Sequence, residues 1–197
     1  MTYRERILQM AHVNNGVVTA QQITEAGILR EHLSSLVAAG LLERSSRGVY
    51  IVPNIFDDEM LNLQTRYKRG IFSHETALFL LDLTDRTPVQ YSMTFPPGYN
   101  TTRPQADNVK CYRVKNDLYE IGIVDVTSPG GNSIRVYNAE RTLCDILKNR
   151  NGTDIQIVTD AFKRYTRRPN RDIPQLSKYA KLFRVEKKMR SYLEVLL

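Results

Sequence analysis

The amino-acid sequence predicts an α+β fold, because helical and strand patterns occupy different stretches of its 197 residues. Three helical patterns and an apolar hairpin pattern come first, short strand patterns lie between residues 89 and 137, and helical patterns return at the end. We therefore expect an N-terminal domain over residues 1–54 and a C-terminal domain over residues 55–197. The second domain should combine a mixed helix–strand core over 70–150 with a helical segment over 153–197.

The first domain begins with two helical patterns. Residues 3–13 place apolar side chains at helical spacing, and the sequence Asn-Asn-Gly at 14–16 ends this pattern. Thr19 is then suited to be the N-cap of a second helix, which stops at Gly27. Two helices are therefore expected before residue 28.

A third helix, over residues 28–39, has two different faces and ends at Gly40. Its apolar face comprises Leu29, Leu33, Leu36 and Val37. Its outward face comprises Glu31, Ser34, Ser35 and Ala38, with Arg30 and His32 at the flanks. Small polar side chains let a helix enter the major groove of DNA, where Ser bonds to base edges or phosphates and Arg pairs with guanine. This helix is the expected recognition helix.

An apolar hairpin pattern follows the third helix. Leu41-Leu42 and residues 49–52 are expected to form two strands around a polar turn over 44–48. Three helices and a hairpin predict a winged helix-turn-helix, with Arg44 and Arg47 at the wing tip against phosphates or a minor groove. The candidate DNA contacts are Thr19, Gln21, Gln22, Arg30, Glu31, His32, Ser34, Ser35, Arg44, Ser45, Ser46 and Arg47.

The charge of this module limits the DNA interpretation. Residues 1–52 hold five Arg against four Glu, so few cations are available to neutralise phosphates, and we expect two copies of the protein on paired half-sites. Modules of this kind also dock proteins, and an outward Ser-Ser pair is often only a solvated face. These alternatives remain open from the residues alone.

The second domain opens with a helix and continues with strands. Pro53 and the acidic residues 57–59 mark the boundary, a connecting helix follows over 60–68, and Ser73 is expected to cap a helix that contains His74-Glu75. Leu78 stands where a zinc metalloprotease motif requires its second His, so His74 is interpreted as structural.

Strands and their turns fill residues 89–137. β-Branched and aromatic runs predict strands at 89–95, 109–114, 121–126 and 134–137, and the intervening glycines lack the spacing of a phosphate-binding loop. Asn138 is then suited to cap a helix. Its polar residues Glu140, Arg141 and Asp145 are attributed to ion pairing near the start of the helix.

Basic residues accumulate near the end of the chain, where residues 163–190 hold eleven Lys or Arg against two acidic residues. Such a segment suits an acidic protein surface, the DNA backbone or simple solubility. The candidate basic surface comprises Lys163, Arg164, Arg167, Arg168, Arg171, Lys178, Lys181, Arg184, Lys187 and Lys188.

Other classes of site find little support in the composition. Cys111 and Cys144 are too few and too far apart for a disulfide framework, and no Cys and His residues have zinc-ligand spacing, so neither metal nor cofactor is expected. The longest apolar run is short for a bilayer span and residues 2–6 are polar, so we expect a cytoplasmic protein that does not bind membranes.

Five segments carry a resemblance to a known family: Arg47 to Tyr50, Ser73 to Leu78, Thr94 to Asn100, Glu120 to Gly122, and Val136 to Asp145. Together they resemble the AbiEi antitoxins over essentially the whole chain. The segment after the wing is common among regulators, whereas the second and fifth segments at this separation are specific.

The resemblance implies a bacterial type IV toxin–antitoxin system of the AbiE type, which acts in abortive infection and phage resistance. The winged helix would repress its own promoter by binding inverted repeats, with Arg30, Ser34, Ser35, Arg44 and Arg47 as contacts. The C-terminal domain would counteract an AbiEii-type nucleotidyltransferase toxin without a stable complex. The basic helical surface would contact flanking DNA or serve the antitoxin activity.

Two alternatives stand beside this non-enzymatic regulator. The first alternative is an enzyme that covalently modifies the toxin or its target. The second is an ordinary winged-helix transcription factor. The sequence contains no recognisable P-loop, kinase loop, catalytic triad or metal cluster, so no catalytic residues are proposed.

Overall fold

The computed structural model describes residues 1–55, 57–148 and 152–196, and the chain folds into two compact units. The first unit consists of Met1–Lys68 together with Thr127–Ile134, and the second consists of Arg69–Val126 together with the chain from Arg135 onward. The first unit thus extends beyond the expected boundary at residue 54. The α+β class is confirmed.

The first unit has four helices and three strands among its described residues. They are α1 (Tyr3–Val13), β1 (Val17–Thr19), α2 (Ala20–Glu25), α3 (Glu31–Ala38), β2 (Glu43–Ser46), β3 (Val49–Ile51) and α4 (Glu59–Arg66). The strands form an antiparallel sheet in the order β1-β3-β2. The three predicted helices are confirmed, whereas β1 was not predicted. Its three residues pair with β3, from Val17 opposite Ile51 to Thr19 opposite Val49.

The core of the first unit lies between the three N-terminal helices. Leu33 and Leu36 are fully buried, as predicted for the inner face of α3. The placement of Leu29 on that face was wrong, because the helix starts only at Glu31 and the Leu29 side chain is 66% exposed. Ile28 fills the core in its place.

The hairpin also differs in register from the prediction. Leu41 and Leu42 follow the end of α3 instead of starting a strand, and both of their amides donate to the Leu36 carbonyl in the last turn of the helix. The strand begins at Glu43, and the turn consists of Arg47 and Gly48 alone. Gly48 adopts a left-handed φ of 84°, which a two-residue hairpin turn favours.

α4 belongs to the first unit because buried polar groups hold its start. Asp58 accepts a hydrogen bond from the Leu61 amide (3.1 Å) and caps the helix. Its other carboxylate oxygen accepts from Asn132 Nδ2 (2.8 Å) and from the Ser128 hydroxyl. Asn15 Nδ2 donates to the Gly131 carbonyl at 2.6 Å. These bonds tie the segment Thr127–Ile134 into the first unit.

The second unit contains a mixed sheet and seven described helices. They are β4 (Ile71–Phe72), α5 (His74–Leu80), β5 (Ser92–Phe95), α6 (Thr102–Ala106), β6 (Lys110–Arg113), α7 (Asn116–Tyr119), β7 (Ile123–Thr127), β8 (Ser133–Tyr137), α8 (Ala139–Lys148), α9 (Ile155–Arg167), α10 (Ile173–Leu182) and α11 (Glu186–Leu196). The strand order is β6-β5-β4-β8-β7. β4 pairs antiparallel with β5 and parallel with β8, and β5 pairs parallel with β6. The four predicted strands are confirmed and β4 was missed.

Helix α8 lies at the centre of the second unit, and its residues from Glu140 to Leu147 are buried. Asn138 caps it as predicted, accepting from the Arg141 amide at 3.0 Å. Ser73 precedes α5 as expected but makes no capping bond, because its hydroxyl lies against Thr94 and His74 instead. No helix in the described part of the chain is both long and apolar enough to cross a membrane.

Candidate functional site

The outer face of α3 presents polar side chains, as the sequence predicts. Glu31 and Ser34 are exposed, and within the described chain their side chains make no hydrogen bond or ion pair. Ser35 is half-buried and donates to the His32 carbonyl at 2.9 Å. Of the two serines, Ser34 is therefore the one available to a partner.

The flanks of α3 are held by the two preceding helices. Arg30 Nε donates to Thr24 Oγ1 at 2.9 Å, and the His32 ring stacks on Tyr3 with ring centroids 5.1 Å apart. Both side chains remain accessible, Arg30 fully and His32 in part. These contacts orient the Arg30 guanidinium and the His32 ring beside the open face, and both side chains can still contact a partner.

The predicted contacts on α2 are largely engaged within the fold. Thr19 and Gln22 form a capping box, in which Thr19 accepts from the Gln22 amide and Gln22 accepts from the Thr19 amide. Gln21 donates to Glu25 and accepts from Lys68, each at 2.6 Å. Thr19 and Gln22 are therefore explained by the start of α2, and only Gln21 is exposed.

In the wing, the two arginines are open to solvent, whereas the two serines bond to other parts of the first unit. Arg44 in β2 and Arg47 in the turn are exposed, and neither side chain has a hydrogen-bond or ion-pair partner among the described residues. A bulge between Arg44 and Ser46 disturbs the strand pairing. Arg44 therefore lies within a strand and only Arg47 lies at the tip, which corrects the predicted position of Arg44.

The wing serines contact the start of α4 and the segment before it. Ser46 Oγ donates to Asn62 Oδ1 at 2.8 Å, and Asn62 Nδ2 donates to Ser45 Oγ at 2.9 Å. Ser45 also donates to Asp57, which accepts from Asn62 Nδ2 at 2.8 Å. Ser45 and Ser46 thus fix the wing against the rest of the first unit. The sequence interpretation missed the role of Asn62.

The predicted basic surface divides into engaged and open cations. Arg164 pairs with Asp85, Arg168 donates to the Leu81 carbonyl, and Arg171 and Lys188 donate to the carbonyls of Arg168 and Leu147. The open cations of this predicted surface, within the described chain, are Lys163, Arg167, Lys178, Lys181, Arg184 and Lys187. Six of the ten predicted positions are thus exposed and open, and their role stays a prediction.

Several of these cations line one groove. The groove has a volume of about 690 Å³ and lies around the junction of α10 and α11. We call it the basic groove; its charged lining residues are Lys148, Lys181, Arg184, Glu186, Lys187 and Lys188. Five cations surround a single carboxylate, so the groove attracts anionic partners.

A buried ion pair lies at the start of α8, and the sequence interpretation did not foresee its environment. Arg141 is fully buried and its Nε lies 2.9 Å from Asp145 Oδ2. The guanidinium lies 4.2 Å from the ring centroid of Tyr137 and 4.0 Å from that of Phe183. These contacts compensate a charge that burial alone would destabilise.

His74 faces this ion pair from α5. Its ring stacks on Tyr112, with centroids 3.5 Å apart and planes 10° from parallel. Burial, reinforced by the charges of Lys110 and Arg141, lowers the pKa of His74 to about 3, so the imidazole is neutral at physiological pH. The backbone of His74 has a left-handed φ of 51°, which is uncommon for a residue with a Cβ.

These groups border one cavity of about 330 Å³, which we call the His74 pocket. Its charged and aromatic lining residues are His74, Tyr112, Arg113, Arg141, Asp145 and Lys148. The two segments that carry the specific resemblance, from Ser73 and from Val136, thus meet at the same cavity. Among the described residues, no group of three His, Cys, Asp or Glu side chains is placed to hold a metal ion.

Comparison with known families identifies the first part of the chain. Residues 5–53 match the family model described as "Transcriptional regulator, AbiEi antitoxin". They form an AbiEi-type regulator domain. The match covers the three helices and the wing, so the resemblance to AbiEi is confirmed for this domain, which is of the transcriptional-regulator type. No curated protein matches the sequence.

A solved structure resembles nearly the whole chain. A crystal structure of the RV2827C protein from Mycobacterium tuberculosis is similar over 98% of this chain and 81% of its own, with a TM-score of 0.53 and 17% sequence identity. At this identity the likeness concerns the fold alone. It shows that the arrangement of helices and strands occurs in another protein.

Proposed function

We propose that the AbiEi-type regulator domain represses its own promoter by binding inverted repeats, with two copies of the protein on each operator. The observation that carries this proposal is that Ser34 on α3 and Arg44 and Arg47 on the wing are exposed and have no partners in the described chain. Arg30 and His32 flank the same face and are held in place by neighbouring side chains. The domain thus has one small polar helix face and two open wing cations, which are the groups that major-groove reading with backbone contact requires.

A gel-shift assay with the DNA upstream of the gene tests the repressor proposal. Intact paired repeats should give a complex of two copies at lower protein concentration than the same fragment with one repeat scrambled. Equal affinity for the intact fragment and for unrelated DNA would refute promoter repression.

We propose further that the C-terminal part opposes an AbiEii-type nucleotidyltransferase toxin in a type IV system of abortive infection. The basic groove supports this proposal, because its open cations Lys181 and Lys187 serve no ion pair within the described chain. An acidic protein surface or a nucleic acid is the kind of partner that such a groove attracts. No stable complex with the toxin is required.

Growth rescue in cells that express the toxin tests the role of the groove. The double variant Lys181→Ala plus Lys187→Ala should lose rescue, whereas Lys163→Ala plus Lys178→Ala removes the same charge from open positions outside the groove and should retain it. Equal rescue by both variants would refute the role of the groove. A mass increase of the toxin after incubation with the protein and nucleotide would instead favour an antitoxin enzyme.

A further inference from the structure

The His74 pocket is not explained by DNA reading or by the basic groove. It belongs to the second unit and brings together a histidine and an ion pair that lie 67 positions apart in the sequence. We propose that this pocket binds a small molecule through an anionic group, either a phosphate or a carboxylate.

The hydrogen-bond network around His74 leaves one ring nitrogen for such a ligand. Thr94 Oγ1 donates to Ser73 Oγ at 2.8 Å, and Ser73 Oγ lies 3.1 Å from His74 Nδ1. Because Ser73 is fully buried, its hydroxyl hydrogen needs an acceptor, and Nδ1 of His74 can accept it. The neutral imidazole then carries its hydrogen on Nε2, which has no hydrogen-bond partner in the described part of the chain.

The backbone at His74 supports a ligand role over simple packing. A left-handed φ of 51° is unfavourable for a residue with a Cβ, and it occurs here at the first residue of α5, whose ring stacks on Tyr112. An apolar core position needs no such conformation. The strained backbone and the stacked ring together fix the orientation of the imidazole, and His74 lines the cavity.

Charge selects the class of ligand. Arg141 and Lys148 line the cavity with Asp145, and Arg113 adds a third cation although its guanidinium donates to Thr101 and to the Tyr99 carbonyl. Three cations against one carboxylate give a positive cavity, and the neutral Nε2–H adds a donor without repelling an anion. The volume of about 330 Å³ suits a small molecule and excludes a folded partner.

Nuclear magnetic resonance of the imidazole nitrogens in the full-length protein tests the proposal, with inorganic phosphate and acetate as the probes. In the free protein, His74 should be a neutral Nε2–H tautomer at pH 7. Titration should shift its Nε2 resonance with a dissociation constant below about 10 mM for at least one probe. A response to phosphate alone identifies a phosphate ligand, and a response to acetate alone identifies a carboxylate.

Two variants with the same charge change complete the test. Lys148→Met should weaken binding of the responding probe at least about tenfold, whereas Arg103→Met, at an exposed position of α6 outside the pocket, should leave it unchanged. Both residues are exposed, so the fold is expected to persist and circular dichroism checks it. An unresponsive His74 with both probes, or equal weakening by the two variants, would overturn the proposal.

Discussion

Replacing both wing arginines should change the salt dependence of DNA binding by a calculable amount. Arg44 and Arg47 are exposed and their side chains have no partners in the described chain, so Ala at both positions should leave the fold intact. Each phosphate that a protein neutralises contributes about 0.9 to the slope of log affinity against log salt. Two copies that each lose two contacts should therefore reduce the slope by about 3.6.

The same calculation distinguishes one bound copy from two. A single copy on DNA would lose only about 1.8 from the slope. Between about 50 and 200 mM salt, a difference of 3.6 means that wild-type affinity falls roughly a hundredfold further than the affinity of the variant. Fluorescence anisotropy with labelled promoter DNA over a salt series measures both slopes.

A variant with the same loss of charge in the second unit provides the control. Arg103→Ala plus Lys115→Ala removes two exposed cations outside every surface proposed to bind a partner. Its slope should match that of the wild type. If the wing variant is folded by circular dichroism and keeps the wild-type slope, the assignment of Arg44 and Arg47 to phosphate contacts is wrong.

Three further predictions concern the side chains that support these sites. Asn62→Ala should cost about 1 kcal/mol in urea unfolding, because Ser46 loses its partner and Ser45 loses one of its two. The variant should also weaken promoter binding without a change of charge, and unchanged binding would show that the wing needs no such support. Burial lowers the pKa of His74 from 6.5 to about 3, so the unfolded chain binds a proton at this imidazole more readily than the folded chain, and the free energy of unfolding falls as the pH drops below 6.5. Between pH 7 and pH 5, His74→Gln should lose about 2 kcal/mol less stability than the wild type. Identical losses would contradict the neutral imidazole. Arg141→Leu should lower the free energy of unfolding by about 3–5 kcal/mol, because Asp145 stays buried without its partner. Adding Asp145→Leu should recover part of this loss in urea unfolding. A double variant less stable than the single variant would contradict the argument.

Local signals in the sequence identify the elements of the first unit well. The Thr19 cap, the inward Leu33 and Leu36 of α3 and the stop at Gly40 all depend on neighbouring residues, and each has its expected structural counterpart. The failures involve distant partners. Strand β1 has three residues and exists through its pairing with β3, some thirty positions away. Leu41 and Leu42 form an apolar pair that suits a helix end as well as a strand.

The site residues show the same limit more strongly. Nothing near Ser45 and Ser46 in the sequence reveals that Asn62, sixteen or more positions away, draws both hydroxyls toward α4. Helical spacing places Leu143 and Leu147 inward on α8 and leaves Arg141 and Asp145 on a polar face. The structure buries all four residues, because α8 is covered on every side. The sequence signal that could have indicated this burial was a charged pair at i and i+4 in a helix flanked by apolar segments.

The low net charge of the AbiEi-type regulator domain bears on the proposed mode of DNA binding. The attraction between protein cations and phosphates is the same for every DNA sequence. A module rich in cations would therefore bind all DNA tightly and lose its preference for one operator. This module is nearly neutral, and Glu31 lies among its exposed residues on α3, where a carboxylate repels phosphates but accepts a hydrogen bond from cytosine. If two copies bind paired repeats as proposed, weak binding by one copy is an advantage, because occupancy then depends on two correctly spaced repeats. The basic excess lies in the helices near the other end of the chain, outside the domain proposed to read the operator.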